Sequence, residues 1–232
     1  MAKKRKIKIS RKQLLNEPDE FITFSSKLLK FIIDHKTQIT IAVSVIFCFL
    51  LAFSGWRYFL NKAENRASIS LDRNITRYES VKIKEGANKA YLEVEKDFQL
   101  LLKKYSGKHG GKLARVIFAN ICYNAGKPDE AIALYKESLS EFEDKSFIKN
   151  LILNSLGYAC EQKEDYAGAI QYFEMTAQGP QPDLKNEAWY NLGRLYSREG
   201  DKEKSLQAYS KIVSDFTDSI YFDLVREKLA YL

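Results

Sequence analysis

The strongest constraint on the fold is an internal repeat in the second half of the chain. Three segments, residues 118–138, 156–176 and 192–212, align with one another, and their matching positions are 38 and then 36 residues apart. Two small residues recur in each segment, and an aromatic residue follows four positions after the second. The positions are Ala119, Gly157 and Gly193, then Ala131, Ala169 and Ser205, and finally Tyr135, Phe173 and Tyr209.

This spacing is typical of two antiparallel helices in close contact. Small side chains let the two backbones approach, and the aromatic side chain fills the space beside them. We expect the turns between paired helices at residues 126–128, 163–165 and 200–201. Each hairpin leaves an apolar face that only a neighbouring hairpin can cover, so the sequence predicts an α-solenoid.

These segments resemble the tetratricopeptide repeat family. The last segment is nearest to the family pattern, with Trp189, Leu192, Gly193, Tyr196, Gly200, Ser205 and Tyr209 at the expected offsets. The first segment has Arg115 in place of the tryptophan, and Cys122 and Cys160 stand where the last segment has Tyr196. The spacing also exceeds the usual repeat of about 34 residues. The resemblance implies an all-α fold of stacked helix pairs.

The flanking segments extend this array. Residues 88–105 are predicted to form the second helix of a degenerate repeat. Its first helix is predicted to continue the membrane span from Trp56 to about Lys84 and to end near Gly86. Residues 219–232 are predicted to form a closing helix. Its core-facing residues are expected to be Ile220, Leu224 and Leu229.

An uncharged stretch of twenty residues, 37–56, lies between Lys36 and Arg57. As a helix it spans roughly 30 Å, the thickness of the hydrocarbon layer of a bilayer. The sequence therefore predicts a single N-terminal transmembrane helix, with Trp56 and Tyr58 as interfacial aromatics. Two alternatives are a buried core helix and a signal peptide cleaved near residues 52–54.

The positive charge is concentrated in the N-terminal tail. Residues 1–36 hold ten Lys/Arg and four Asp/Glu, a net charge of +6, whereas the whole chain carries +7. The body is therefore nearly neutral, which argues against a nucleic-acid partner. A basic tail favours a cytoplasmic N-terminus, and hence a single-pass protein with its repeats outside the cytoplasm. The inverted topology remains an alternative.

The tail and the apolar segment are expected to contact membrane lipids. Residues 17–36 have an apolar and a polar face, as expected for a helix on the inner membrane surface, a helix docked on a membrane partner, or a helical lead into the span. The residues predicted to contact lipid are Lys3, Lys4, Arg5, Lys6, Lys27, Lys30, Lys36, Trp56 and Tyr58.

The predicted organisation has six parts. They are a basic disordered tail (1–16), an amphipathic helix (17–36), a transmembrane helix (37–56), an extended helix with a degenerate repeat (57–111), three repeats (112–218) and a capping helix (219–232).

The sequence shows no pattern of catalytic chemistry. Its two histidines, His35 and His109, are far apart, and no phosphate-binding loop, metal-spaced cluster or nucleophile motif occurs. We therefore expect no enzymatic activity, no cofactor and no metal. Cys122 and Cys160 occupy equivalent repeat positions, about 9–10 Å apart on stacked helices, which is too far for a disulfide. Two free, buried thiols are predicted.

A solenoid without catalytic groups is expected to function through its concave surface. Its amide and tyrosine side chains suit hydrogen bonding to a peptide backbone, and Arg194 and Arg198 suit an acidic group. The third repeat is expected to dominate binding. The predicted protein-binding residues are Asn120, Tyr123, Asn124, Asn154, Tyr158, Glu161, Gln162, Tyr190, Arg194, Ser197 and Arg198.

The whole layout, with residues 55–58 reading GWRY directly after the span, resembles the YfgM-like family of ancillary SecYEG translocon subunits. This resemblance implies a single-pass protein of the bacterial inner membrane with its repeats in the periplasm. It further implies a translocon-like membrane partner for the span. It also implies that the repeats hand client polypeptides to periplasmic chaperones. A structural adaptor for envelope assembly or division is the alternative function, and a cytoplasm-facing regulatory scaffold is the alternative if the topology is inverted.

Overall fold

The computed structural model describes the backbone of residues 20–231 and the side chains of residues 24–230. This part of the chain is helical, without strands, which confirms the predicted all-α class. The helices are α1 (Glu20–Asp34), α2 (Lys36–Glu85), α3 (Ala87–Tyr105), α4 (His109–Asn124), α5 (Pro128–Glu141), α6 (Ser146–Gln162), α7 (Tyr166–Ala177), α8 (Pro182–Arg198), α9 (Lys202–Asp215) and α10 (Phe222–Tyr231).

The chain divides into two units, one ending at Leu60 and the other beginning at Asn61. In the first unit, α1 stops at a turn at His35, whose ring stacks on Phe31 with 4.5 Å between the ring centroids. The apolar part of α2 is long and apolar enough to cross a membrane, and none of its apolar window is buried. It is therefore not a core helix of the folded repeats.

The second unit is a stack of helical hairpins. Each helix from α3 to α9 contacts the next one along the chain, and α10 packs on α9. Three buried clusters run through the stack and merge at their edges, because side chains such as Ile132 and Trp189 pack against two clusters each. The core is thus shared between neighbouring hairpins, as expected for a solenoid.

The three hairpin turns share one backbone geometry. Gly126, Glu164 and Gly200 each have a positive φ, of 70°, 65° and 80°, and they recur with the repeat spacing. In each turn the residue directly after this position, which is Lys127, Asp165 or Asp201, donates a 2.9 Å backbone hydrogen bond to the carbonyl five positions earlier. Glycine is the ordinary residue in this left-handed conformation, and Glu164 occupies it in the middle hairpin.

The predicted helix crossings at two glycines are confirmed. A Cβ atom placed on Gly157 would lie 2.7 Å from the Phe173 ring, and one on Gly193 would collide with the Tyr209 ring. The Gly193 carbonyl also accepts a 2.8 Å hydrogen bond from the Ser205 hydroxyl. These two helix pairs therefore approach as closely as the repeat alignment requires.

The degenerate first hairpin consists of the end of α2 and all of α3. Leu71 and Tyr78 of α2 are buried in one cluster with Tyr91, Val94 and other residues of α3. Helix α2 ends at Glu85, close to the expected end near Gly86. The start of α4 is tied to α2 by a 2.9 Å hydrogen bond from the Gly110 amide to the Glu64 carboxylate.

Arg115, which replaces the usual tryptophan, has a nearly buried side chain that is 11% exposed. It forms ion pairs of 3.2 Å with Glu137 and 2.5 Å with Glu141, both on α5. An ion-paired guanidinium thus occupies the place of an aromatic side chain in this repeat.

The prediction for the closing helix is wrong in its register. Helix α10 begins at Phe222, so Ile220 precedes it and is 86% exposed, and Leu224 is also exposed. Val225 is the buried residue instead, and Leu229 packs beside it. The start of α10 is displaced because residues 217–221 form turns, in which Ser219 bonds to Asn186 of α8.

Candidate protein-binding face

The first helices of the three full hairpins, α4, α6 and α8, line one side of the stack. Contacts join α4 to α6 and α6 to α8, whereas the second helices of the described hairpins have no comparable contacts with each other. The first helices therefore lie on the more tightly packed side of the array. We call the outward side of α4, α6 and α8 the A-helix face.

The residues predicted on α4 lie at the start of this face. Asn120 and Asn124 are exposed, and Tyr123 is half-buried. The Asn120 amide oxygen accepts a hydrogen bond from the hydroxyl of buried Tyr135. Burial, and secondarily the charge of Glu161, raises the pKa of Tyr123. Asn124 is thus the more open of the two amides.

A network of polar side chains joins α6 to α8. Tyr158 donates a 2.5 Å hydrogen bond to Glu187 and accepts one of 2.8 Å from the Asn191 amide. Arg194 donates to both carboxylate oxygens of Glu161, with a distance of 2.6 Å for one of them, and also to Asn191 at 3.1 Å. The hydrogen bonds that Arg194 donates to Glu161 are the main reason that the pKa of Arg194 is raised.

The remaining predicted residues are less tightly held. Gln162, Ser197 and Arg198 are exposed, and the Arg198 guanidinium lies 4.1 Å above the centre of the Tyr166 ring. Tyr190 stacks on Tyr221, the residue directly before α10, with 4.4 Å between the ring centroids. The structure thus brings the predicted α8 residues together on one face, but Arg194 is already paired within the chain.

Asn154 does not lie on the open face as expected. Its side chain is only 6% exposed, and its amide oxygen has no hydrogen-bond partner within the described residues. The cause is the close packing of neighbouring first helices, which covers the middle of α6. Asn154 is therefore a buried polar residue and a poor candidate for contact with a partner.

Sequence reasoning missed two polar residues and an apolar group on the same face. Glu187 and Asn191 complete the network with Tyr158. They are four residues apart, which places them on one side of α8, and this spacing is the sequence feature that could have identified them. Three apolar side chains are exposed on α4 and α6, and we call them the apolar strip. They are Leu113, Phe147 and Leu151, with exposed fractions of 44%, 60% and 41%.

A cavity of about 490 Å³ lies at the far end of the array, between the start of α8 and the α9–α10 connection. Its lining includes Asp183, Glu187 and Asp218, together with Phe216 and Tyr221. Glu187 also belongs to the polar network, so this cavity borders the A-helix face.

The predicted membrane-contacting residues fall into two groups. Lys3, Lys4, Arg5 and Lys6 lie outside the described residues. Lys27, Lys30, Lys36, Trp56 and Tyr58 are exposed on α1 and α2. Exposed apolar side chains accompany them along both helices, among them Phe31, Phe49 and Phe59.

The described residues do not form a recognisable centre of catalysis. Groups of three or more His, Cys, Asp or Glu able to hold a metal are absent from residues 20–231. Burial raises the pKa of Tyr158, Tyr196 and Cys160, which keeps these groups protonated near neutral pH. All three cysteines are free, and Cys122 and Cys160 are buried, as predicted. The arrangement is suited to binding through shape and hydrogen bonds.

Comparison with protein families agrees with this geometry, although no curated protein matches the sequence. The model of the tetratricopeptide repeat-like domain matches residues 30–232, which include the apolar part of α2 as well as the hairpins. Domains of this kind are typically non-catalytic and serve as scaffolds for protein interactions. The chain therefore belongs to the tetratricopeptide repeat-like domain family.

Proposed function

We propose that this protein is a membrane-anchored scaffold that binds polypeptides on its A-helix face outside the cytoplasm, close to the protein translocation machinery. The observation that carries the proposal is the composition of this face. Exposed apolar side chains on α4 and α6 share this face with hydrogen-bonding amides, hydroxyls and carboxylates on α6 and α8. Such a mixture suits extended polypeptide, which presents apolar side chains and backbone groups together.

The extent of the apolar strip over two helices favours binding of a polypeptide segment over binding of a small molecule. Phe147 and Leu151 are four residues apart on α6, and Leu113 is the repeat equivalent of Leu151 on α4. Side chains four apart share one side of a helix, so the strip crosses two neighbouring helices. Burying three such side chains contributes about 1.5–3 kcal/mol each at most, which is enough for a transient contact with a client.

The anchor is supported by the apolar part of α2. Its exposed side chains and its length suit a bilayer, and the matched family range extends over it. In this proposal the basic tail stays in the cytoplasm and the span contacts a translocon-like membrane protein. An alkaline phosphatase fusion after Leu232 is then active, and the mature protein retains its N-terminus. An inactive phosphatase fusion would contradict the topology, and a shortened N-terminus would indicate cleavage.

Crosslinking tests the binding face in the full-length protein in its membrane. A photoreactive residue at Phe147 or Leu151 is expected to capture polypeptide. The same residue at Lys136, an exposed position on α5, is expected to capture none. A further probe at Phe47 reports on membrane partners of the span. Equal capture at Lys136 would argue against a defined binding face.

Matched leucine variants separate the strip from general surface hydrophobicity. Replacing Leu113 and Leu151 with serine is expected to abolish capture from Asn124. Replacing Ile83 and Leu92 with serine removes more exposed apolar surface, since these side chains are 82% and 67% exposed, but it does so outside the face and is expected to leave capture unchanged. Loss of capture in both variants, or in neither, would contradict the proposed role of the strip.

The rigid network between α6 and α8 favours a second candidate, a structural adaptor for envelope assembly or division. Side chains fixed by several hydrogen bonds are better suited to one folded partner than to varied clients. Arrested secretory chains distinguish the two functions. Capture of these chains from Leu151 supports the client-binding function, and capture of a single folded protein instead supports the adaptor.

A further inference from the structure

A cationic cleft lies between α2 and α3, on elements that do not contribute to the A-helix face. The two helices are antiparallel in this hairpin, since Arg77 of α2 bonds to Glu93 near the start of α3, whereas Arg66, earlier on α2, faces the same cleft as Lys104 near the end of α3. The cleft encloses about 210 Å³. Its lining includes Arg66, Ser70 and Arg73 from α2, and Asp97, Leu100 and Lys104 from α3.

The positive charges in the cleft are not neutralised by the described part of the chain. The ion pairs found in residues 24–230 include none formed by Arg66, Arg73 or Lys104. The carboxylate that lines the cleft, Asp97, already accepts a 3.3 Å hydrogen bond from Arg77. The cleft is thus lined by three cations and one carboxylate, and this carboxylate is already paired with a fourth cation, Arg77.

The donors converge because of helix periodicity. Arg66, Ser70 and Arg73 are separated by four and three residues, which places them on one side of α2. Lys104 is four residues after Leu100 and lies on the facing side of α3. Guanidinium groups bind tetrahedral oxyanions through paired hydrogen bonds, and a serine hydroxyl and an ammonium group supply further donors.

We propose that this cleft binds a phosphate group, carried by a free anion or by the headgroup of an anionic phospholipid. The volume suits a small polar group and is too small for a helix or a folded element. Leu100 is 64% exposed at the edge of the cleft, which gives an organic phosphate an apolar contact beside its anion. The inference does not depend on polypeptide binding at the A-helix face.

Isothermal titration calorimetry of the full-length chain in a nonionic detergent tests the proposal. The probes are inorganic phosphate and dihexanoyl phosphatidylglycerol, and dihexanoyl phosphatidylcholine serves as a control with the same acyl chains and no net charge. Binding of either anionic probe is expected, and it weakens as salt is added. Binding of both anionic probes would show that the phosphate group alone is sufficient for binding. Binding of phosphatidylglycerol without binding of inorganic phosphate would show that the cleft recognises the lipid headgroup.

Charge-neutral variants locate the site. Arg66→Gln with Arg73→Gln is expected to raise Kd by about tenfold for each guanidinium removed. Lys202→Gln with Lys228→Gln makes the same change of charge at exposed positions on α9 and α10, and it leaves Kd unchanged.

Circular dichroism melting verifies that both variants are folded, and hydrogen exchange is expected to show protection within residues 62–105. The proposal is overturned by an unchanged Kd in the arginine variant, by an equal loss in the lysine variant, by equally tight phosphatidylcholine binding, or by no binding of either anionic probe.

Discussion

Arg194 of α8 donates a hydrogen bond to each carboxylate oxygen of Glu161 on α6, so this pair joins two consecutive first helices of the array. Both side chains are partly covered, with exposed fractions of 36% and 20%. A guanidinium held in this way has less freedom to meet a partner. The apolar strip therefore replaces Arg194 as the expected centre of binding.

A double-mutant cycle measures what this pair contributes to stability. Arg194→Ala, Glu161→Ala and the double variant are compared by urea unfolding. We expect a coupling free energy of about 1 kcal/mol, near the upper end for partly exposed ion pairs because the contact is bidentate. A coupling indistinguishable from zero would show that the pair is not formed in solution.

The crossing of α8 and α9 predicts a strong effect at Gly193. Gly193→Leu places a side chain against the Tyr209 ring, and overpacking of this kind typically costs about 1–3 kcal/mol. Thermal unfolding followed by circular dichroism is expected to show a lower midpoint. Gly107→Leu is the control, because a Cβ atom there meets no atom within 4 Å. Equal midpoints for the two variants would contradict the close crossing.

The middle hairpin turn predicts a stabilising substitution. Glu164 has φ of 65°, a conformation that costs an L-amino acid roughly 1–2 kcal/mol, and the other two turns use glycine there. Glu164→Gly is expected to raise the free energy of unfolding by up to about 1 kcal/mol after the greater entropy of the unfolded chain is included. Gln178→Gly, at an exposed helix end with φ of −83°, is expected to destabilise. A loss of stability in both variants would argue against the left-handed turn.

The repeat architecture was predictable from the sequence because it depends on local periodicity. The spacing of Gly157 and Gly193, with an aromatic sixteen residues after each, determines which helices meet and how closely. The turn at Gly200 follows from the same alignment. Each of these features depends only on residues within one hairpin or on its contact with the next hairpin.

The binding face was only partly predictable because it depends on which side chains meet across hairpins. The pairing of Arg194 with Glu161 and the burial of Asn154 arise from contacts between α6 and α8, and single-helix patterns do not contain them. The predicted register of α10 was wrong for a similar reason. Ser219 donates a hydrogen bond to Asn186 of α8, and the helix begins only at Phe222. The apolar pattern counted from Ile220 therefore assigned the wrong residues to the core.

Thiol reactivity is expected to be low at Cys122. Burial, followed by the nearby charge of Glu130, raises its pKa from 9.0 to about 12, so almost no thiolate is present at mildly alkaline pH. In a Cys48→Ala background, Ellman's reagent is expected to react only after denaturant is added. The contribution of this raised pKa to the free energy of unfolding is fully present below pH 9.0 and declines above it. The reason is that the thiol of the unfolded chain ionises there, while the native thiol keeps its proton. Rapid reaction of the native protein would contradict the burial of both repeat cysteines.

The start of α9 predicts a dependence of stability on acidity. The Asp201 carboxylate accepts a 3.0 Å hydrogen bond from the Lys204 amide, and this bond is the main reason that its pKa lies below 3.8. A lowered native pKa means that the stabilisation is present above pH 3.8 and is lost as the pH falls through the native value. Asp201→Asn keeps an acceptor but does not titrate, so the advantage of the wild type over this variant is expected to shrink on acidification. Urea unfolding of both proteins at neutral pH and at about pH 3 measures the difference, and Asp144→Asn, at an exposed turn position, is the control. A difference between the wild type and Asp201→Asn that stays constant with pH would show that the ionised carboxylate does not cap α9.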